Sequence, residues 1–254
     1  MTSGTSVGAV VQALRILRHL AGQATPAGVT AIARATEVNT STCFNILRTL
    51  AAEGLVAFDP ATKAYRLGLG VVELASGLVG ANVADLIRPE LERLAANYNA
   101  LFALWRVTEA DRIVLVERVA APSALRPEMR VGLRMPACSG AVGRCVAAAR
   151  GLEGAALRQA FDGVRWQRAP SFESWRAEVR RAARFGYALD RGQIFKGVDA
   201  VAATVTDRAG QPRLGLSAIA INGLVASREL GVLGGELAAA AGRIGRALFG
   251  HNSG

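Results

Sequence analysis

The side chains able to do chemistry are few and widely separated. Nucleophilic hydrolysis needs a Ser or Cys beside a base. The two histidines are His19, inside a helical pattern near the N-terminus, and His251, in a glycine-bearing tail. Three cysteines, Cys43, Cys138 and Cys145, do not pair off evenly and have no metal-type spacing with histidine. A disulfide framework and a zinc site are therefore not expected, and no catalytic residue, metal or cofactor is assigned. ACSGAVG (137–143) is not a strand-to-helix nucleophile elbow, and AVGRC (141–145) lacks the lysine and threonine of a phosphate-binding loop. What Cys138 to Val142 does offer is a helix start, where unpaired amides and the helix dipole favour an anion such as a carboxylate.

A second cluster lies in NTSTCFNILRTLAAEG (39–54). Its first turn carries Thr40, Ser41, Thr42 and Asn45, short polar side chains of the kind that reach base edges and phosphates from a helix in the major groove. Asn45 can bond adenine bidentately, while Ser41 and Thr42 suit phosphate or base contacts. Arg48 adds a phosphate contact, and Lys63 with Arg66 can hold the flanking backbone. Each also has an ordinary role, since Ser and Thr at a helix start cap it and exposed cations are solvated. Only the arrangement as a whole is specific.

That arrangement depends on its supports. From Val7 to Ala21, Val10, Val11, Leu14, Leu17 and Leu20 recur at helical spacing. After a breaker-rich stretch, Thr30 can cap a short helix, Ala31 to Thr36, with a turn at Glu37 to Asn39. The next helix has cap candidates at Asn39 to Ser41, core positions at Phe44, Leu47 and Leu50, Cys43 as a small filler, and Gly54 as its stop. LVAFDPATKAYRL (55–67) then reads as a hairpin turning at Asp59 to Thr62. Three helices followed by a hairpin is the winged helix-turn-helix order. Gly68 to Gly80 predicts a linker helix, bendable at its glycines.

Downstream, Asp85 to Asn99 is helical in pattern and two hairpins follow, LFALWRVTE with RIVLVERVA and AVAATVTD with RLGLSAIAI. Helices are expected at Ser139 to Ala149, Leu152 to Phe161, Ser174 to Phe185 and Ser227 to Phe249. The fold class is thus α+β, with a winged helix-turn-helix at 1–69, a linker helix at 70–82 and a sheet-and-helix domain at 83–254. A length of 254 residues at 51% hydrophobic content supplies two cores. A net charge of +10 and a pI near 10.8 favour a polyanionic partner. Residues 1–70, however, hold six basic side chains against three acidic ones, so pattern and not charge carries the DNA assignment. No stretch approaches the roughly 18 to 20 apolar residues of a membrane span, and no signal peptide is visible. A cytoplasmic protein without a membrane partner is expected.

Taken together, the segments resemble the IclR family of bacterial transcription regulators nearly end to end. Those carrying the likeness include ALRILRHLA, VTAIARATEVNTSTCFNILRTLAAEGLV, YRLGLGVVELA, VGLRMPACSGAVGRCVAAA and FGYALDRGQIFKGVDAVAATVTDRAGQ. The resemblance implies a GAF-like effector domain (an antiparallel sheet flanked by helices), double-stranded operator DNA as partner, a small-molecule effector, and a homodimer or homotetramer. It also implies an effector pocket lined by Ala141, Val142, Asp190, Val198, Ala200, Ser217 and Ile219; Ser139 at the helix start, Asp190 and Ser217 are the polar candidates for orienting a ligand there. Thr40 and Asn45 stand where the family usually carries Lys and Arg. Ala200 replaces a frequent cysteine, Ile219 a polar residue and Gln193 a frequent glutamate. The implied pocket is more apolar than one built for a two- or three-carbon keto acid, and a carboxylic acid with an aromatic or alkyl body is expected. The neutral Thr40 and Asn45 leave an alternative open, in which the helix-turn-helix serves protein interaction beside a ligand-binding or enzymatic C-terminal domain.

Overall fold

A computed structural model describes residues 6–75, 82–98, 100–120 and 127–250, in two compact units that divide between Ala81 and Asn82. The N-terminal unit comprises α1 (Gly8–Gly22), β1 (Ala27–Gly28), α2 (Val29–Thr36), α3 (Thr40–Ala52), β2 (Val56–Asp59), β3 (Ala64–Leu67) and α4 (Gly70–Ala75). Its three strands form an antiparallel sheet in the order β1-β3-β2. Ile16 and Leu20 of α1, Ile32 of α2, and Cys43, Leu47 and Leu50 of α3 close over Val56 and Tyr65 as one core. Glu37 ends α2 in the left-handed region, and the amide of the buried Val38 returns to Ala33 O at 3.1 Å, which sets the sharp turn into α3.

Several local expectations are corrected. Phe44 is not a core residue: its side chain is 44% exposed while Cys43 and Leu47 on either side are fully buried. The expected α1 stripe splits: Leu20 is buried and Leu17 half-buried, whereas Val10, Val11 and Leu14 are exposed, and Ile16, outside that stripe, fills the core instead. Thr30 lies inside α2, which starts at Val29 behind Gly28, and so does not cap it. The expected linker helix is seen as α4 from Gly70 to Ala75, and its remainder falls outside the described residues.

The C-terminal unit contains α5 (Val83–Ala95), β4 (Leu101–Thr108), β5 (Arg112–Ala120), β6 (Arg134–Pro136), α6 (Gly140–Ala149), α7 (Gly154–Asp162), α8 (Phe172–Phe185), β7 (Ala188–Arg191), β8 (Val198–Thr206), β9 (Pro212–Ile221) and α9 (Ser227–Phe249). Six antiparallel strands run in the order β6-β5-β4-β9-β8-β7. Alternation along each strand sorts the two faces. Phe102 and Leu104 of β4 and Val201, Ala203 and Val205 of β8 pack with α5 and α9. Leu101, Ala103 and Trp105, with Ala202 and Ile219, face the other way toward α6. Outside α6 lies a further apolar layer from α7 and α8, centred on Phe161 and Trp175. This is the antiparallel sheet flanked by helices that the resemblance implies. No helix among the described residues is long and apolar enough to cross a membrane.

Two glycines permit close approaches at the start of α6. A Cβ on Gly215 of β9 would meet Val142 Cγ1 at 2.6 Å, and one on Gly143 would fall 1.9 Å from the backbone carbon of Cys138. A side chain at 215 would push the helix start away from β9, and one at 143 would collide with the backbone of the turn that leads into α6.

Candidate functional site

In the N-terminal unit, Asn39 caps α3: its Oδ1 accepts from the Ser41 amide at 3.0 Å and from Ser41 Oγ at 2.8 Å. The Ser41 hydroxyl is therefore engaged in the cap. Thr40, Asn45 and Arg48 are exposed along one side of the helix, with Thr42 half-buried. Phe44 stands among them, and the Arg48 guanidinium lies 5.9 Å from its ring centroid.

The hairpin carries Lys63 and Arg66 on its exposed side. Its turn is organised by Asp59, which accepts from Thr62 Oγ1 at 2.7 Å and from the Ala61 amide at 2.9 Å. These two bonds hold the Asp59 carboxyl below the usual carboxylate range. Thr40, Thr42, Asn45, Arg48, Lys63 and Arg66 thus present short polar or cationic groups, and the exposed ring of Phe44 is a member of the helix face that helical periodicity alone placed in the core.

In the C-terminal unit all eight expected residues, Ser139, Ala141, Val142, Asp190, Val198, Ala200, Ser217 and Ile219, line a single cavity of about 470 Å³. Strand register brings them together. Asp190 of β7 pairs with Ala200 of β8, which pairs with Ile219 of β9, which pairs with Leu101 of β4, while Ser217 sits two residues along on the same face. Ser139, Ala141 and Val142 come from the start of α6, held against β9 by the close approach at Gly215.

The polar groups differ in what they have left to offer. Asp190 is buried, and both its oxygens are engaged: Oδ1 accepts from the amides of Gln193 at 2.9 Å and Ile194 at 3.3 Å, and Oδ2 pairs with Arg144 Nη1 at 3.2 Å. Ser217 Oγ accepts from Trp105 Nε1 at 2.9 Å and keeps its own proton to donate. Ser139 sits at the N-cap of α6 without a side-chain capping bond. The first amides of that helix have no intrahelical acceptor by construction, and Ser139 does not supply one.

Two residues absent from the expected set shape the cavity. Trp105 forms part of its wall, on the inward phase of β4 that also carries Leu101 and Ala103. Arg144 lies just behind it, fully buried. Its Nε meets Glu178 Oε2 at 2.6 Å, Nη1 donates to Gly140 O at 2.8 Å as well as to Asp190, and Nη2 donates to Gln193 Oε1. One guanidinium thereby ties the start of α6 to the turn after β7. A lone charge within the apolar run AVGRCVAAA was the signal for it, because a buried charge must be paired. Ile113, Met129, Leu133, Met135 and Phe195 complete a mainly apolar lining, with Glu128 and Arg130 as further charged members.

The thiols carry no nucleophile. Burial pushes Cys138 up to about 11 and Cys145 to about 12, so both stay protonated at neutral pH. Among the described residues no three His, Cys, Asp or Glu side chains converge as metal ligands.

Comparison with known proteins bears on both units. Residues 9–60 match the family described as IclR helix-turn-helix domain, and residues 75–246 match that described as bacterial transcriptional regulator IclR C-terminal. The chain is 30% identical to the glycerol operon regulatory protein of Streptomyces coelicolor over 254 residues, covering 96% of this chain and 95% of that one. Among solved structures, the Agobacterium tumefaciens repressor BlcR superposes with a TM-score of 0.68 at 22% identity, over 98% of this chain and all of that one (100%). An IclR homologue from Microbacterium hydrocarbonoxydans, complexed with 4-hydroxybenzoate, has a TM-score of 0.52 at 20% identity, over 94% of this chain and 100% of that one.

Proposed function

Since the chain belongs to the IclR family of bacterial transcriptional regulators, and is a DNA-binding regulator with an effector domain rather than an enzyme, we propose that its effector is a small carboxylic acid with an aromatic or alkyl body, bound in the cavity beside α6. The observation that carries this is the cavity itself: about 470 Å³, within the range of roughly 300–1,000 Å³ that holds small ligands, and walled mainly by Trp105, Ile113, Val142, Val198 and Ile219. A three-carbon keto acid would leave most of that apolar wall unfilled. The uncapped start of α6 supplies amides and a positive dipole end for the carboxylate, and the Ser217 hydroxyl supplies one further donor. Asp190, its charge already balanced by Arg144 and two amides, is a buried part of the wall. That a relative in fold holds 4-hydroxybenzoate supports the same ligand class.

The regulated genes are those of a catabolic operon, a reading supported by the named role of the Streptomyces relative. Thr40, Ser41, Thr42, Asn45 and Arg48 meet the major groove while Lys63 and Arg66 hold the flanking backbone, with Ser41 acting mainly through the cap. The protein works as a homodimer, or a homotetramer built from dimers, on a two-fold operator. The exposed apolar residues Val10, Val11 and Leu14 on α1, with Val7 just before it, support self-association of the heads. Leu14→Glu should then lower the sedimentation-derived mass toward that of a smaller species.

A calorimetric screen of benzoates and medium-chain carboxylates against glyoxylate and pyruvate tests the ligand class. Micromolar binding in the first group and weak or no binding in the second is expected. Binding of glyoxylate or pyruvate alone would contradict the proposal.

A further inference from the structure

We propose that Phe44 reads thymine, its ring meeting the C5-methyl group of a thymine in the major groove. This rests on α3 being the DNA-reading helix and adds to that helix an apolar base contact. The residue is placed for it. Phe44 is 44% exposed on a helix whose neighbouring positions, Cys43 and Leu47, are fully buried, so the core has no use for its ring. It lies one turn beyond Thr40 and one turn before Arg48, on the same exposed face, with Asn45 beside it. Side chains on a helix lean toward its N-terminus, which is the end that enters the groove.

The other groups on this face leave a role for it. The Ser41 hydroxyl is held by Asn39 Oδ1 and the Thr49 hydroxyl by Asn45 O at 3.1 Å, so neither is free to search base edges without breaking a local bond. Thr40, Phe44, Asn45 and Arg48, with the half-buried Thr42 beside them, remain as the direct readers. Every base edge in the major groove offers donors or acceptors, and thymine alone adds a methyl group, the one feature an aromatic ring can recognise. Arg48 over the ring, 5.9 Å from its centroid, holds both side chains in place and keeps the cation near the phosphates that flank the contacted base.

The test uses the full-length protein and duplexes it selects from a random pool at low salt. Each selected thymine is replaced in turn by deoxyuridine, which removes only the methyl group, and affinity is measured for wild type, Phe44→Ala and Phe44→Leu. Burial of one methyl corresponds to about fourfold in affinity. Wild type should lose about fourfold at one thymine per half-site, and roughly fifteenfold when both half-sites are changed in a dimer complex. Phe44→Ala should bind more weakly and be indifferent to the same replacement, while Phe44→Leu, which keeps apolar bulk, should retain part of the effect. Because the ring is exposed, both variants should melt within a degree or two of wild type.

Indifference of the wild type to deoxyuridine at every thymine, or an equal penalty in Phe44→Ala, overturns the proposal even if DNA binding is intact. Failure of the wild type to select any sequence overturns the assignment of α3 as the DNA-reading helix, and this contact with it.

Discussion

Replacing Arg144 by Met removes the cation that, among the described residues, is fully buried in the effector unit. The guanidinium is fully buried and makes polar contacts with Glu178, Asp190, Gln193 and the Gly140 carbonyl. Glu178, whose side chain is 32% exposed, can turn toward water, whereas Asp190 at 4% cannot and would keep only its two amide donors. Most of the cost therefore falls on one stranded carboxylate, and breaking a buried pair from one side costs about 3–5 kcal/mol. At roughly 2–4 °C per kcal/mol for a domain of this size, the melting temperature should fall by about 6–20 °C. All three tryptophans, Trp105, Trp166 and Trp175, lie in this unit, so intrinsic fluorescence reports its unfolding without interference from the DNA-binding head. The companion variant Asp190→Asn removes the charge that Arg144 balances, and the double variant should be more stable than the sum of the singles predicts by about 1–3 kcal/mol. Strict additivity, or a loss below about 1 kcal/mol for Arg144→Met, would refute the clamp.

Three further outcomes follow from the same geometry. Ala200→Phe projects a ring into the cavity from β8 and should weaken carboxylate binding at least tenfold by calorimetry while leaving operator binding of the ligand-free protein unchanged. Asn45→Ala should erase preference at one base pair, a loss of about 1–3 kcal/mol in discrimination, whereas Arg66→Ala should weaken all duplexes alike and lower the salt slope by about one per contact; filter binding across a salt series separates them. Cys138 and Cys145 have folded-state pKa values raised by burial to about 11 and about 12. Their neutral thiols therefore favour the folded state below the ordinary thiol range, and this contribution is lost as pH rises through those values. A maleimide reagent at pH 8 should label neither until urea opens the fold, and rapid labelling of the native protein would show the thiols to be accessible.

Much of this architecture was legible in the sequence because the periodicities are clean. LFALWRVTE and RLGLSAIAI are apolar runs of strand length, turn residues mark the hairpins, and the order of helices and hairpin in the first seventy residues admits few folds. Periodicity failed where two adjacent positions were both apolar. Cys43 and Phe44 each fit an inward phase with Leu47, and only packing against Val29 and Ile32 decides that the thiol goes in and the ring goes out. On α1 the same ambiguity placed Val10 and Leu14 with Leu20, although the helix buries only the side that meets α2 and α3. The short strands β1, β6 and β7 carry too few residues for a period of two to register. Seven of the eight cavity residues came from family resemblance and Ser139 from the helix start; their convergence depends on a register spanning β7, β8, β9 and β4, which local spacing does not encode. Arg144 was visible as a charge in an apolar run, but its side-chain partners lie 34 to 49 residues away.

Coupling between the cavity and α3 is tested most directly by measuring the affinity of a benzoate-class ligand for the full-length protein, free and saturated with its selected duplex. Binding linkage requires the two affinities to differ by the same factor by which the ligand shifts duplex affinity, expected at about 5–150-fold. Identical ligand affinity in the presence and absence of saturating duplex would contradict ligand control of DNA binding.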